Sequence, residues 1–395
     1  MSTVRSTALH RAAAVVGIGA TDWSHDYKRV REGAKPFDSY GYGAMALGRA
    51  LADAGLTRHD IDGLIVGPTT AYERMGEVLG LNPRWGDQAD AVTAVVKACM
   101  AVATGQCEVV ALVYGNDQRS SGVQYGGPAA MGGDAFLSYV YHSPWGLTSQ
   151  GALYGLMYRR YMELTGATER DLGQVAVAQR SWADLNPDAL MKGRPITIDD
   201  YLASPYVAEP LHLFDYCLIN DGGVALIIAE PERAKSIAAK SGNSPVVING
   251  IGRADLNSEA TSLGPRLMEF YRPAQRLAAS QVYEMSSVGP SEVDVLLVYD
   301  SFSCHILFAL EGFGYCAEGE AGRLIADAGI GPGGKLPTNT SGGHLSESYM
   351  QGWNHQLEAV RQLRGRAGTR QVSDCRNVHY VSDVAGKCVT LMYGL

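Results

Sequence analysis

Residues 12–22, "AAAVVGIGATD", and residues 245–255, "PVVINGIGRAD", are two versions of one pattern. Each is an apolar run that reaches Gly-Ile-Gly and then a polar turn, which predicts a buried strand leading into a loop. The segments downstream keep the same order in both places. After the first copy come the amphipathic "YGAMALGRALADAGL", the turn "TRHDID" and the apolar "GLIVG". After the second come "PAQRLAASQVYEM", "GPSEVD" and "VLLVYD". From Gly17 to Ile61 is 44 positions, and from Gly250 to Val293 is 43.

The repeat extends further. "ADAVTAVVKACMAVATG" predicts a strongly apolar helix ahead of the strand "EVVALVYG"; its counterpart is "SYMQGWNHQLEAVRQLRG", followed later by "NVHYVSDVAGKCVTLMYG". Strands alternating with helices imply an α/β fold with parallel sheets covered on both faces. The expected organisation is an N-terminal half over 1–235 and a C-terminal half over 236–395, with a site where they meet. Roughly residues 116–212 have no counterpart and read as an inserted loop domain that shapes a pocket or a subunit interface. It is rich in glycine and aromatics at first ("GVQYGGPAAMGGDAFLSYVYHSPWG") and then helical.

Bulk properties narrow the function. The chain has 395 residues, 46% of them hydrophobic and 19% charged, as in a globular protein. A net charge of −8 argues against a nucleic-acid binder. No apolar run reaches the about 18 residues that a membrane span needs. The N-terminal apolar run reads as a first strand and not as a secretion signal, which points to a cytoplasmic protein. Seven scattered cysteines without a CxxC fit reduced thiols. Nine histidines show no HExxH or paired Cys/His spacing, so no metal site is expected in this chain. "GIGATD" lacks the third glycine of a dinucleotide fingerprint, and its recurrence as "GIGRAD" marks a turn belonging to the fold. Twenty-one tyrosines against seven phenylalanines favour pockets that are apolar yet hydrogen-bonding.

The duplicated pattern resembles the thiolase superfamily over essentially the whole chain, which implies the five-layer αβαβα fold. "DYCLINDGGVALIIAE" is similar to the strand that closes the first half in that family, and "NTSGGHLSESYMQGW" to its Asn-x-Asn-Gly-Gly loop. "VYDSFSC" stands where the family has Asn-Glu-Ala-Phe. "LLVYDSF", "EGFGYCAEGE" and "LPTNTSGGHLSESYMQGWN" are typical of the sterol-carrier-protein, lipid-transfer-like branch. The departures bear on chemistry. A thiolase carries a nucleophilic cysteine at the start of the apolar helix; the matching position is Gln88. The histidine of the Gly-Gly loop is replaced by Tyr349, and the asparagine of Asn-Glu-Ala-Phe by Tyr299. The second thiolase cysteine falls at Ser382 or Asp383, and Cys388 comes too late for it. Cys99 and Cys107 read as small buried thiols.

Losing a nucleophile and gaining two phenols implies proton transfer without a covalent intermediate, as in retro-aldol cleavage of a β-hydroxyacyl-CoA. A free tyrosine has a pKa of about 10, so ionising one fully at neutral pH costs roughly 4 kcal/mol. A hydrogen bond from a second phenol offsets part of that. Tyr299 and Tyr349 are therefore the expected acid–base pair, with either as the base. His344 and Asp300 are candidate helpers, Ser382 and Asp383 candidate support. Gly342 and Gly343 are placed near the acyl-CoA. Ser346 and Ser348 read as residues leading into a helix, satisfying backbone donors.

The resemblance further implies a bacterial steroid side-chain aldolase releasing a steroid ketone or aldehyde and propionyl-CoA or acetyl-CoA. Its implied partner is a small OB-fold protein with a zinc ribbon, fused to or associated with an enoyl-CoA hydratase. Zinc is expected only in that partner, and the CoA thioester is substrate. A homodimer of this chain would give a heterotetramer. "KRVREGAK" (28–35) and Arg159–Arg160 are either solvated faces or contacts for CoA phosphates. Two rivals remain: a thiolase or acyltransferase with a relocated cysteine, Cys99 or Cys304, and a non-catalytic lipid- or acyl-CoA-binding subunit.

Overall fold

The computed structural model describes residues 7–122, 142–147, 149–256, 258, 262–384 and 386–395. Its main sheet contains β1 (Ala14–Ala20), β2 (Gly63–Val66), β3 (Trp85–Gln88) and β4 (Val109–Asn116) from the first half of the chain. Strands β5 (Tyr206–Ala208) and β6 (Leu211–His212) form a small separate pair. The main sheet continues with β7 (Gly222–Ala229), β8 (Val246–Asp255), β9 (Val295–Val298), β10 (Asn377–Val384) and β11 (Lys387–Gly394). Among the described residues the strand order is β3-β2-β4-β7-β1-β8-β11-β10-β9. Outward from the centre, β1-β7-β4-β2 on one side matches β8-β11-β10-β9 on the other. An isolated parallel bridge from Leu296 to Thr338 stands beyond β9 where β3 stands beyond β2.

The two Gly-Ile-Gly copies are thus the central strands β1 and β8, which pair at Ala14–Val247 and Val15–Val246. Their glycines are packing notches. A Cβ on Gly19 would lie 2.2 Å from the Ala46 carbonyl oxygen of the helix Ser39–Ala54. A Cβ on Gly252 would lie 2.0 Å from that of Ala278 in the helix Arg272–Ser286. Only glycine lets helix and strand backbones approach so closely.

The sheet corrects one expectation: it is mixed, not parallel. β2 pairs parallel with β3 and β4, and β9 with β10, but β1, β7, β8 and β11 pair antiparallel with their neighbours. The reason is local at β10 and β11, where only positions 385 and 386 intervene. A parallel return needs a crossover of a dozen residues or more.

The buried faces form layers. The helices Ala91–Ala103 and Trp353–Leu363 share one core with both halves of the sheet. The Ser39–Ala54 helix covers the far face of the first half. On the far face of the second half lie the helices Arg272–Ser286 and Cys304–Gly312. The insertion's helices Gln150–Thr165 and Glu169–Leu185 pack into that same outer core. Most of its glycine- and aromatic-rich stretch, 123–141, lies outside the described residues.

Candidate active site

Tyr299 directly follows β9, and its backbone N–H donates to the Val381 carbonyl on β10 at 2.8 Å. Tyr349 lies in the loop between the short helix Gly343–Ser346 and the helix Trp353–Leu363, four residues ahead of the latter and not at its start. Their hydroxyl oxygens are 2.9 Å apart, and each residue is 8% exposed. The two phenols that the repeat singled out therefore meet, one from the end of β9 and one from the loop that follows Gly343–Ser346.

His344 sits against both, with its ring centroid 4.7 Å from that of Tyr299 and 5.0 Å from that of Tyr349. The Gly352 N–H lies 2.9 Å from His344 Nε2, and Asn354 Oδ1 lies 3.2 Å from the same nitrogen. Burial, with His355 alongside, pushes this imidazole well below its usual pKa, so the ring is neutral. Asp300 Oδ1 accepts from the His344 backbone N–H at 2.8 Å and from His355 Nε2 at 3.1 Å. The sequence placed His344 and Asp300 near the pair; it missed His355, one polar residue within a helical run.

Two glycines make the crowding feasible. Gly343 has φ +59°, and a Cβ there would lie 2.1 Å from Asp300 Oδ2. Gly352 has φ +85°, and a Cβ there would lie 2.2 Å from the Tyr380 hydroxyl and 3.0 Å from the Tyr299 ring. Gly342 packs against Ala183 of the insertion helix Glu169–Leu185, so the insertion covers the Gly-Gly loop.

The segment around these glycines is anchored by buried carboxylates. Glu347 accepts from the Ser341 hydroxyl at 2.6 Å and from Asn354 Nδ2 at 2.9 Å. Glu358 accepts from the Thr340 hydroxyl at 2.7 Å; burial opposes its ionisation, and the neighbouring Arg370 overcomes that and holds it below its usual value. Ser346 and Ser348 do not cap backbone donors as expected. Ser346 Oγ accepts from Arg180 Nε at 3.2 Å and Ser348 Oγ from Asn220 Nδ2 at 2.9 Å. Asn220 and Asn116, both buried, contact residues 348 and 349 from the first half, and sequence reasoning passed them over.

The remaining expectations fall in other places. Gln88 ends β3 instead of opening the apolar helix, whose N-cap is Asp90, and its amide donates to the Thr70 carbonyl at 2.7 Å. Asp383 turns to the outer helices, where Gln275 Nε2 donates to it at 2.7 Å, and burial pushes its carboxyl up to about 7. Ser382 alternates with it on β10 and takes the face of Tyr380, on the side of Tyr299. Arg160 pairs with Glu163 at 3.0 Å, and Lys28 and Arg31 line a surface cavity with Arg194.

Metal and cysteine chemistry are the alternatives to proton transfer between phenols. Ligand atoms of Asp300, His344 and His355 lie within 4.8 Å of one another, a set of types that can hold a cation. In this arrangement His344 Nε2 accepts from Gly352 and His355 Nε2 donates to Asp300 Oδ1, while His344 Nδ1 lies 3.4 Å from that same oxygen. The seven cysteines are all free. Burial pushes Cys107 up to about 11, Cys99, Cys217, Cys316 and Cys375 up to about 12, and Cys304 and Cys388 well above the usual thiol value. A nucleophilic cysteine needs the opposite shift.

A duplicated five-layer fold with its site at the Gly-Gly loop defines a member of the thiolase superfamily, and residues 257–391 match the thiolase C-terminal domain-like family. The chain is 36% identical over 397 residues to the 17-hydroxy-3-oxo-4-pregnene-20-carboxyl-CoA lyase of Mycobacterium tuberculosis, covering 95% of this chain and 96% of that protein. It is 36% identical over 387 residues to the steroid side-chain-cleaving aldolase of Thermomonospora curvata, covering 93% and 94%. The solved structure of the Ltp2-ChsH2(DUF35) aldolase superposes with a TM-score of 0.85 at 33% identity, covering 98% of each chain. The chain belongs to the steroid side-chain-cleaving aldolases of the thiolase superfamily.

Proposed function

We propose that the chain cleaves the β-hydroxyacyl-CoA side chain of a steroid by a retro-aldol reaction, with Tyr299 and Tyr349 as its acid–base pair. One phenol, as phenolate, takes the proton of the β-hydroxyl. The Cα–Cβ bond breaks as the hydroxyl oxygen becomes a carbonyl, leaving a steroid ketone or aldehyde. The bonding electron pair passes into the thioester as an enolate. The second phenol donates to that enolate and protonates Cα, releasing propionyl-CoA or acetyl-CoA. The proton removed from oxygen is balanced by the one delivered to carbon, and the 2.9 Å contact lets the pair exchange protons between turnovers. The reaction balances with no co-reactant.

That contact, at positions where the superfamily has other residues, carries the reading. The His344 ring packs against both phenols and so helps hold them together. A DUF35 protein is the proposed partner, because the superposing aldolase is a complex with one. An OB fold with a zinc ribbon, an associated hydratase, a heterotetramer around a homodimer, and a cytoplasmic location complete the proposal. Among the described residues no helix is long and apolar enough to cross a membrane.

The test is to incubate the chain with its DUF35 partner and a panel of steroid β-hydroxyacyl-CoA thioesters and to identify products by mass spectrometry. A steroid ketone or aldehyde with a matching short acyl-CoA is expected. No turnover across the panel would favour a non-catalytic binding subunit.

A further inference from the structure

The first half of the chain grips the tyrosine that the second half carries. Asn220, two residues ahead of β7, is 1% exposed. Its Oδ1 accepts the Tyr349 backbone N–H at 2.8 Å, and its Nδ2 donates to Ser348 Oγ at 2.9 Å and to the Asp221 carbonyl at 3.1 Å. Asn116, the last residue of β4 and fully buried, donates through Nδ2 to the Asn220 carbonyl at 3.1 Å and to the Tyr349 carbonyl at 3.5 Å. The grip is itself fixed. Asn116 Oδ1 accepts the Gln118 N–H at 3.0 Å, and Asp221 accepts the Ser120 N–H at 3.1 Å together with the Ser120 hydroxyl.

A buried carboxamide needs partners for both its oxygen and its nitrogen. Asn220 extends no strand ladder and caps no helix; its side chain is spent largely on residues 348 and 349. We propose that Asn220 is a positioning residue for the cleavage, fixing the Tyr349 backbone so that its phenol meets that of Tyr299. The inference rests on the reading of the two tyrosines as the acid–base pair. Tyr299 is set separately, by its bond to Val381 on β10. The 2.9 Å contact between hydroxyls therefore depends on two independent anchors, one of them in the other half of the fold. Displacing one reacting group by about 1 Å costs roughly 10²-fold in rate.

The test measures kcat and KM for Asn220→Ala and Asn220→Asp, in complex with the partner and over a pH series. For Asn220→Ala, kcat is expected to fall roughly 10- to 100-fold with KM for the thioester near wild type, because misplacement and not lost binding is the defect. Asn220→Asp keeps the acceptor for the Tyr349 N–H, and when protonated its O–H replaces the lost donor to Ser348. The ratio of its rate to wild type should rise as pH falls, while the same ratio for Asn220→Ala stays flat. That pH comparison needs only a folded Asp variant, so it decides the matter even where the Ala variant fails to fold. A near-wild-type kcat in Asn220→Ala, or a pH-independent ratio for Asn220→Asp, overturns the positioning role. Near-wild-type rates in Tyr299→Phe and Tyr349→Phe would instead remove the tyrosine pair beneath it.

Discussion

The hydroxyl oxygens of Tyr299 and Tyr349 lie 2.9 Å apart although the residues are fifty positions apart in sequence. Both are almost wholly buried, and the neutral ring of His344 packs edge-on to each. Close packing makes the geometry of this pair sensitive to changes in residues with no proton-transfer role.

Gly352 is the sharpest case. Its φ of +85° disfavours any side chain, and a Cβ would lie 2.2 Å from the Tyr380 hydroxyl and 3.0 Å from the Tyr299 ring. Gly352→Ala is expected to cost about 1–3 kcal/mol in stability through backbone strain. It should also lower kcat by roughly 10²-fold through displacement of Tyr299. Thermal melts read the first effect and steady-state kinetics the second.

The thiols should be dispensable. Burial holds Cys99 and Cys304 protonated, so neither can serve as the nucleophile of an acyl transfer. Cys99→Ala and Cys304→Ala should retain cleavage near the wild-type rate, and mass spectrometry should find no acyl-enzyme. A single cysteine that iodoacetamide alkylates with loss of activity, and that acyl-CoA protects, would restore the thiolase reading.

Asp383 makes a prediction about stability. Burial pushes its carboxyl up to about 7 in the folded chain, against about 3.9 for an unfolded one. Between these values the folded chain holds a proton that the unfolded chain has lost. Stability from this group therefore falls as pH rises through the window and levels off above it. Asp383→Asn removes the titration. Its melting temperature should drop less than that of wild type between about pH 4.5 and about pH 8. Parallel curves for the two proteins would contradict the assignment.

Legibility followed the range of the signals. The repeat was readable because two short motifs keep the same spacing, and the glycines in them answer to a local demand, the approach of a helix to a strand. Tyr299 and Tyr349 were readable because duplication and resemblance fix their positions within short motifs. Asn220 and Asn116 were not. Their contacts to Tyr349 span 129 and 233 positions, and nothing in "NDGG" or "YGND" shows which loop they will meet. His355 was hidden among polar residues in a helical run. The strand direction differs because alternating strands and helices say little about a hairpin such as β10–β11, whose two strands run together in "NVHYVSDVAGKCVTLMYG" with only two residues between them. Ser346 and Ser348 were misassigned because a serine before a helix is an N-cap by habit. Here the neighbouring Gly352 takes that place and frees the serines for Arg180 and Asn220.

The most direct measurement is the cleavage rate of Tyr299→Phe and of Tyr349→Phe, each in complex with the DUF35 partner on a steroid β-hydroxyacyl-CoA that the wild type turns over. Removing one hydroxyl leaves the rings, and so the packing around His344, in place. Each variant is expected to lose roughly 10²-fold or more in kcat, the scale of a general acid or base. Near-wild-type rates in both would contradict catalysis by the tyrosine pair.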